Sequence, residues 1–525
     1  MPRTEHQPHI VFIVLDTHRV DRLGCYGYKR GTSPNLDAFA RTATVFENAA
    51  APAQWTIPSH ASMFTGQPPS AHLTLQADDA LDSRFETLAE RLAGWGYRTL
   101  GFCNNPLVGV VSNGLKRGFE TFYNYGGAIP YGPRVKRFLP APLSQVWEST
   151  TRALRSVSYP IQDAFAHSTG LFQAALLPFV VPIWTRIAHS KGLTARSIRD
   201  VRHLVRKELG PNGRRPHCLF LNLMETHLPY RPPERFVAAF APQVREDRAA
   251  RDFVREHNRR AVDWITPLEH PLSELQRSAL SDMYDAEVAY QDHLLGPLLE
   301  TLDQPQHREG TMVVIVADHG EMLGEHQLMG HGFGVYQELV HVPLLVRFPE
   351  QSTASRVPGP VLATRVFHTI LEAAGANGRG LHDDACTDIH RQSLRGDVQG
   401  WLHEQPVVSE AYAPEFALQV MARHKPGLLT SSEYRSTQRA VYEDGYKLIR
   451  VENVHDRLFA LRSDPFELWG SSVAAQSERM ERLAAQLEAF LDRARQCRPD
   501  DPSRTQADLD DQIVRQRLRD LGYLE

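Results

Sequence analysis

Cysteine is scarce in this sequence. Only five occur among 525 residues, and no two form a CxxC pair, so the sequence indicates neither a zinc knuckle nor a disulfide framework. Charge of one sign is not concentrated either. The formal net charge is -4 and no basic block stands out, so nothing favours nucleic-acid binding. The cysteines are Cys25, Cys103, Cys218, Cys386 and Cys497.

Long hydrophobic runs are also few. The first apolar run, residues 10–15, is too short for a signal sequence and has the wrong flanking residues, so we expect a cytoplasmic location. A membrane span needs about 20 apolar residues, and residues 170–188 form an apolar stretch of nearly this length. Because Pro178 and Pro182 interrupt the stretch, we predict no transmembrane span. We interpret residues 130–210 as an insertion or lid, whose apolar part is either buried core or a face for a lipid-like ligand.

The composition is that of an ordinary globular protein, 42% hydrophobic and 23% charged. Up to about residue 375, short runs rich in Val and Ile alternate with helical patterns. This alternation predicts an α/β fold with a doubly wound, mostly parallel sheet and helices on both faces. We predict that residues 1–400 form this domain and that residues 401–525 form a small C-terminal α+β subdomain. In the subdomain, the expected elements are antiparallel strands at 441–448 and 451–461, an amphipathic helix at 476–495 and a charged helical tail at 506–521.

Polar side chains follow two of the predicted strands. Asp16 comes directly after residues 9–15, and Asp318 and His319 follow residues 312–317. Because functional groups of open α/β sheets gather at the carboxyl ends of strands, we expect these side chains to lie close together. A helix N-cap remains the simpler alternative for Asp16.

A third stretch of interest runs from Trp55 to Gly66 and contains Thr56. Pro58 suits a first helical turn, and the Ser and Thr hydroxyls suit the unpaired amides at a helix start. Such a position lies in a positive field, where sulfate and phosphate groups bind readily. The stretch therefore predicts an anion-binding helix N-terminus with a hydroxyl beside it, although an ordinary capped helix would have the same pattern.

Asp16, Thr56, Asp318 and His319 together predict a site for one divalent metal ion. Two carboxylates, an imidazole and a hydroxyl suit Mn, Zn, Mg or Ca with little discrimination. A metal ion bound to Thr56 would lower the pKa of its hydroxyl and make it a nucleophile near neutral pH.

These stretches resemble the sulfatase branch of the alkaline phosphatase superfamily, in order and over most of residues 9–130 and 215–470. The motifs that carry the resemblance are Asp16 with LGCYG at 23–27, SPNLD at 33–37, TIPSH at 56–60, YDAE at 284–287, DHGE at 318–321, GEH at 324–326 and DPFE at 464–467.

The chain departs from the family pattern at its nucleophile. Sulfatases have a Cys or Ser there, which is converted to formylglycine, whereas this chain has Thr56. Threonine cannot become formylglycine, so the resemblance implies a variant with a threonine nucleophile. His60 stands where sulfatases have an arginine, and Thr17 replaces a second acidic residue of the first motif. The remaining set is similar to that of phosphodiesterases, nucleotide pyrophosphatases and phosphoglycerol transferases.

The resemblance implies roles for further residues. His331 replaces a family lysine that contacts the anion, His227 matches a substrate-side histidine, and we predict that His227 or His331 protonates the leaving oxygen. His60 and Asn105 are predicted to contact the substrate. We expect one metal ion, although Glu225, His227 and His331 are candidates for holding a second zinc.

We predict a metal-dependent hydrolase that cleaves sulfate or phosphate mono- or diesters through a covalent intermediate on Thr56. A transferase that moves the phospho or sulfo group to an alcohol or lipid-like acceptor is the alternative, and a non-catalytic binding protein is a third. The expected partner is a small-molecule or lipid-like ester. The sequence leaves the choice between sulfur and phosphorus, and the oligomeric state, open.

Overall fold

The computed structural model describes residues 7–127, 191–210, 215–375, 392–395, 406–470 and 477–498, together with 130, 132 and 133. The apolar stretch at 170–188 and the predicted tail at 506–521 lie outside the described residues, as does most of the predicted insertion. Within the described parts, every helix is too short or too polar to cross a bilayer.

Fifteen strands form three sheets in the described residues. They are β1 His9–Leu15, β2 Thr44–Ala50, β3 Arg98–Cys103, β4 Thr121–Asn124, β5 His217–Leu223, β6 Thr311–Ala317, β7 Met322–Leu323, β8 Met329–Gly330, β9 His341–Val342, β10 Leu344–Arg347, β11 Ser355–Leu362, β12 Val407–Ala411, β13 Gln438–Glu443, β14 Tyr446–Val451 and β15 His455–Ala460.

The main sheet has nine strands and is mostly parallel. Eight strands follow the order β11-β2-β10-β6-β1-β5-β3-β4, and β9 pairs with β2 beside this path. Only β9 and β10 run antiparallel to their neighbours. With helices on both of its faces, the sheet confirms the predicted doubly wound α/β architecture.

The centre of the sheet positions the polar residues of interest. β1 lies between β5 and β6, parallel to both, and all seven of its residues are buried. In this register Leu15 is opposite both Leu223 and Ala317, so the three strands end at the same level. Asp16 and Asp318, which follow β1 and β6 directly, therefore leave the sheet side by side.

The described α-helices surround this sheet and the smaller ones. They are α1 Pro34–Ala40, α2 Thr56–Thr65, α3 Pro69–His72, α4 Leu88–Gly94, α5 Pro106–Gly109, α6 Thr194–Glu208, α7 Glu234–Phe240, α8 Pro242–Glu246, α9 Arg248–Arg259, α10 Glu274–Asp303, α11 Pro305–Arg308, α12 Gln337–Val340, α13 Arg365–Ala373, α14 Glu415–His424 and α15 Ser477–Gln496.

A four-stranded antiparallel sheet follows, in the order β12-β13-β14-β15. Apolar side chains of this sheet and of α15, such as Val441 and Leu483, form a core cluster of their own. The predicted helix at 476–495 is thereby found at α15. The predicted domain boundary at residue 400 stays a prediction.

The strand prediction for this C-terminal sheet was wrong in detail, because residues 441–461 contain three strands and not two. The predicted strand at 441–448 runs across a turn at Asp444 and Gly445, whose φ angles of 49° and 79° suit a tight hairpin. A second turn, at Asn453 with φ 60°, precedes β15. Asp-Gly between apolar runs is a hairpin signal, and it marks the position where the two predicted strands should have been divided.

Two parts of the main sheet also differ from expectation. Residues 342–348, predicted as one strand, are divided at Pro343, which has no backbone N–H to donate. β2 and β11 were not predicted, because polar or proline residues such as Glu47 and Pro358 interrupt their apolar pattern.

The cysteines differ in state. Cys25, Cys103 and Cys218 are free thiols, whereas Cys497 is disulfide-bonded. The wide spacing in the sequence gave no indication of this bond. The expected cytoplasmic location stays a prediction.

Gly320 offers a test of how tightly the segment after β6 is packed. A Cβ at Gly320 would lie 2.0 Å from the backbone oxygen of Glu338, which cannot move aside as a flexible side chain can. We expect Gly320→Ala to lower the free energy of unfolding by about 2 kcal/mol, measured by denaturant titration. Gly427→Ala is the matched control, because a Cβ there meets no atom within 4 Å. Equal stabilities of the two variants would contradict the packing described.

Candidate active site

Two amide side chains hold Asp16 at the end of β1. Its Oδ2 accepts hydrogen bonds from Nδ2 of Asn105 at 2.7 Å and from Nδ2 of Asn222 at 3.3 Å. Its Oδ1 is buried and has no hydrogen-bond partner. Asp16 is thus oriented through one oxygen, while the other stays available for a ligand.

Asp318 follows the same pattern at the end of β6. Its Oδ1 accepts the backbone N–H groups of Thr17 at 3.2 Å and His319 at 2.9 Å, while its buried Oδ2 has no hydrogen-bond partner. Burial, reinforced by the charge of Asp16, raises the pKa of Asp318 well above its usual range. Two adjacent buried carboxylates of this kind require a positive charge between them to ionise together.

His319 presents a free nitrogen to the same place. Its Nδ1 lies 2.9 Å from the carbonyl oxygen of Gly320, to which it donates, so Nε2 carries the lone pair. Nε2 lies 3.3 Å from Oγ1 of Thr56 and 3.5 Å from Oδ2 of Asp318. Burial and then the charge of His331 lower the pKa of His319 well below its usual value, which keeps the ring neutral as a metal ligand requires.

Asp16, Asp318 and His319 together fit a divalent cation. One ligand atom of each lies within 4.8 Å of the other two, and all three side chains are fully buried. The unpartnered Oδ1 of Asp16 and Oδ2 of Asp318 are the atoms that such an ion would satisfy. A set of two carboxylates and one imidazole does not decide between Mn, Zn, Mg and Ca.

Thr56 is the first residue of α2, and Trp55 is its N-cap. No side chain caps this helix start, so the prediction that Ser and Thr hydroxyls satisfy its amides was wrong. The physical reason is position: a capping hydroxyl belongs to the residue before the helix, and here that residue is tryptophan. The Thr56 hydroxyl is instead directed to His319, and its residue is only 2% exposed.

His60 lies one helical turn after Thr56 and is fully buried. Its Nδ1 is 2.9 Å from the Thr56 carbonyl oxygen and 3.4 Å from Oδ2 of Asp318, and its Nε2 is 3.4 Å from Nδ2 of Asn222. The side chain of Asn105 donates a hydrogen bond to Asp16 and accepts one from the backbone N–H of Leu107 at 2.8 Å. Asn105 supports Asp16 in this structure, and His60 binds the Thr56 carbonyl beside Asp318. The predicted contacts of both residues with substrate stay predictions.

His227 and His331 form a second layer of imidazoles next to His319. The ring centroid of His331 lies 4.6 Å from that of His319 and 5.0 Å from that of His227. Nδ1 of His331 is 3.1 Å from Oε1 of Glu321. Burial alone would lower the pKa of His331, but the Glu321 carboxylate, together with the charge of Asp16, raises it above its usual value. Burial and the charge of His331 lower the pKa of His227, so the pKa values of the two rings shift in opposite directions.

Sequence reasoning missed several residues that build the site. Tyr284 donates its hydroxyl to the Thr17 carbonyl at 2.6 Å and accepts the N–H of Arg19 at 2.9 Å. This holds Thr17 in a left-handed backbone conformation, φ 57°, that turns its N–H toward Asp318. Asn222 and Glu321 were also missed as supporting residues. Tyr284 and Glu321 each had a signal in the sequence, their places in the YDAE and DHGE motifs. Their contacts with Thr17 and His331 depend on the fold.

The candidates for a second zinc do not form a cluster. Among the described residues, the groups of three or more side chains that could hold an ion do not include Glu225, His227 or His331. Burial raises the pKa of Glu225 to about 7, and its backbone N–H binds Oε1 of Gln291 at 3.1 Å.

Comparisons with known proteins agree with the fold of this chain. The family model described as Sulfatase matches residues 8–376. An uncharacterised sulfatase of Escherichia coli, YidJ, is 23% identical over 70% of this chain and 68% of its own length. The steryl-sulfatase of Mus musculus is 25% identical over 76% of this chain and 66% of its own length, just under two thirds. The solved phosphonate monoester hydrolase of Agrobacterium radiobacter superposes with a TM-score of 0.61 at 19% identity, over 93% of this chain and 96% of that one.

The pair of Glu321 and His331 can be tested by titration. We expect Glu321→Gln to lower the pKa of His331, because the substitution removes the carboxylate that stabilises the imidazolium and leaves burial opposed only by the charge of Asp16. Histidine-labelled protein followed by NMR between pH 5 and 10 measures this pKa directly. Glu86→Gln, a change at an exposed carboxylate, is the control. An unchanged titration of His331 in Glu321→Gln would show that the ion pair does not set its protonation.

Proposed function

Because this chain belongs to the sulfatase family, we propose that it hydrolyses esters of phosphoric, phosphonic or sulfuric acid through a covalent intermediate on Thr56. One observation carries the proposal: Oγ1 of Thr56 lies 3.3 Å from Nε2 of His319, beside two buried carboxylates that each keep a free oxygen. A buried hydroxyl at this position is suited to bind a metal ion or to attack a bound ester.

The charges of the site favour substrates with a single negative charge. A divalent cation is balanced by Asp16 and Asp318, and a protonated His331 is balanced by Glu321. The net charge of the ion and these four side chains is then close to zero. A second negative charge on the substrate would therefore be buried without a compensating positive charge. Phosphodiesters, phosphonate monoesters and sulfate monoesters carry one charge, whereas a phosphate monoester carries two above its second pKa.

The side chains that would bind the metal ion favour phosphorus esters over sulfate esters as substrates. Asp16, Thr56, Asp318 and His319 resemble the sets of relatives that transfer phosphoryl groups with a threonine nucleophile. The sulfatase mechanism through formylglycine is excluded, because threonine cannot be converted to formylglycine. We therefore rank phosphodiesters and phosphonate monoesters ahead of sulfate esters.

The chain's own side chains account for the steps of the reaction. After its hydroxyl proton has passed to solvent, Thr56 attacks phosphorus or sulfur, and the bond to the leaving oxygen breaks on the opposite side. His331, whose pKa is raised by Glu321, gives its proton to the leaving oxygen, while His227, whose pKa is lowered, donates a hydrogen bond. A water oxygen then attacks phosphorus or sulfur, His331 takes back a proton from this water, and the bond to Oγ1 of Thr56 breaks to regenerate the threonine alkoxide. When bound by Asp16, Asp318 and His319, a divalent cation would lower the pKa of the Thr56 hydroxyl and offset charge on the ester oxygens.

A panel of nitrophenyl esters tests the preference for single charge. With each divalent metal in turn, we expect kcat/KM for bis-nitrophenyl phosphate or nitrophenyl phenylphosphonate to exceed that for nitrophenyl phosphate by at least about 10-fold, or about 1.4 kcal/mol. Nitrophenyl sulfate should fall between them. A preference for nitrophenyl phosphate would contradict the charge argument. Formation of a new ester when an alcohol is added would favour the transferase alternative.

Substitution at Thr56 tests the nucleophile. Thr56→Ala should lose at least about 10³-fold in kcat, because the substitution removes the hydroxyl that would form the covalent ester, while Thr56→Ser should keep a substantial part of the activity. Ser62→Ala removes a hydroxyl from the same helix, one that bonds Nε2 of His72 at 2.9 Å, and serves as the control. Thermal unfolding checks that each variant is folded. Full activity in Thr56→Ala would end the assignment.

A further inference from the structure

A second cluster of metal-binding side chains lies apart from the candidate active site. His326, Glu338 and Glu467 each place one ligand atom within 4.8 Å of the others. His326 belongs to the short helical turn Glu325–Gln327, Glu338 belongs to α12, and Glu467 follows the last strand of the C-terminal sheet. The cluster therefore lies where the C-terminal sheet meets the catalytic α/β structure.

Two atoms of this cluster are buried without partners. Nε2 of His326 and Oε2 of Glu338 make no hydrogen bond, and the side chain of Glu338 is 4% exposed. The two atoms are 3.8 Å apart, which is too long for a hydrogen bond. The distance suits two ligands of one ion, since metal–nitrogen and metal–oxygen bonds are each about 2.0–2.2 Å long.

The local charges leave one carboxylate without compensation. Nζ of Lys447 lies 2.7 Å from Oε1 of Glu467 and balances that residue. Arg19 is near Glu338, but its guanidinium is already paired with Asp21 at 2.8 Å and with Glu325 at 2.7 Å. Burial raises the pKa of Glu338 to about 8, as expected for a carboxylate that lacks a positive partner.

We propose that His326, Glu338 and Glu467 bind a divalent cation of the zinc or manganese type. The imidazole ligand favours these ions over Ca²⁺ and Mg²⁺, which prefer oxygen. Glu467 is the weakest of the three ligands, because its Oε2 already accepts the backbone N–H of Gln337 at 2.7 Å. His326 and Glu338 also line a cavity of about 600 Å³, from which water can complete the coordination.

The site would tie the C-terminal sheet to the segment that follows the catalytic Asp318 and His319. The carbonyl oxygen of Glu338 accepts the N–H of Glu321 at 3.2 Å, and that of Leu339 accepts the N–H of Gly320 at 2.7 Å. α12 thus connects the proposed ion to the backbone of the active site. Its role is structural, and it does not depend on the function proposed above.

Metal content tests the proposal. After removal of metals from the full-length protein and dialysis against Zn²⁺, wild type should hold two ions per chain by elemental analysis. Glu338→Gln and His326→Asn should each lose one ion, with affinity at that position weakened more than about 100-fold in calorimetric titrations. Asparagine is chosen at His326 because this residue has φ 52°, a conformation that asparagine tolerates. Glu433→Gln, at a carboxylate that lines the same cavity outside the cluster, should keep both ions.

Asp318→Asn separates the two sites. It should remove the catalytic ion only, so its combination with Glu338→Gln should leave none. If wild type holds one ion that Asp318→Asn removes and Glu338→Gln leaves, the proposal is overturned. It is also overturned if two ions bind and neither cluster variant changes the count. If a single ion is lost in both Glu338→Gln and His326→Asn, the proposed site stands and the catalytic ion fails. Metal-free melting temperatures equal to that of wild type confirm that the variants are folded.

Discussion

Two carboxylates buried side by side are the constraint on which the rest of this structure depends. Asp16 and Asp318 are both fully removed from water, and each has one oxygen tied to amide donors and one oxygen free. Such an arrangement is unfavourable unless a cation or a proton lies between them. Thr56 and His319 are positioned where a cation bound to these oxygens would reach them.

The sheet supplies this arrangement through its topology. β1 and β6 are adjacent and parallel and end at the same level, so the residues that follow them meet without any long excursion of the chain. The neighbouring strand β5 contributes Asn222, which binds Asp16. A second group of residues then fixes the loops. Tyr284 holds the turn after β1 from the long helix α10, and α12 holds the segment after β6 through backbone hydrogen bonds.

The sequence predicted the architecture and the members of the central cluster because both depend on local patterns. Apolar runs that end in Asp16 and in Asp318 with His319 are visible without a structure, and the α/β alternation places their ends together. Residues that act across the fold were not visible. Asn222 contacts the site through a pairing of more than 200 residues in separation, and no spacing rule indicates it. Tyr284 belongs to the YDAE motif, but the sequence does not show that it contacts Thr17. The strand errors in the C-terminal sheet arose from turn signals, at Asp444 and Gly445, that were interpreted as continuing strand. The contacts of His60 and Asn105 with substrate stay predictions, since His60 binds the Thr56 carbonyl here and Asn105 binds Asp16.

The most direct test of this account is the position of the ion itself. Crystals of the wild-type protein grown with Mn²⁺ and measured for anomalous scattering should show a peak within about 2.5 Å of Oδ1 of Asp16, Oδ2 of Asp318 and Nε2 of His319, with Oγ1 of Thr56 turned toward it. A saturated crystal with no peak among these atoms, or with the Thr56 hydroxyl turned away from the ion, would contradict the account.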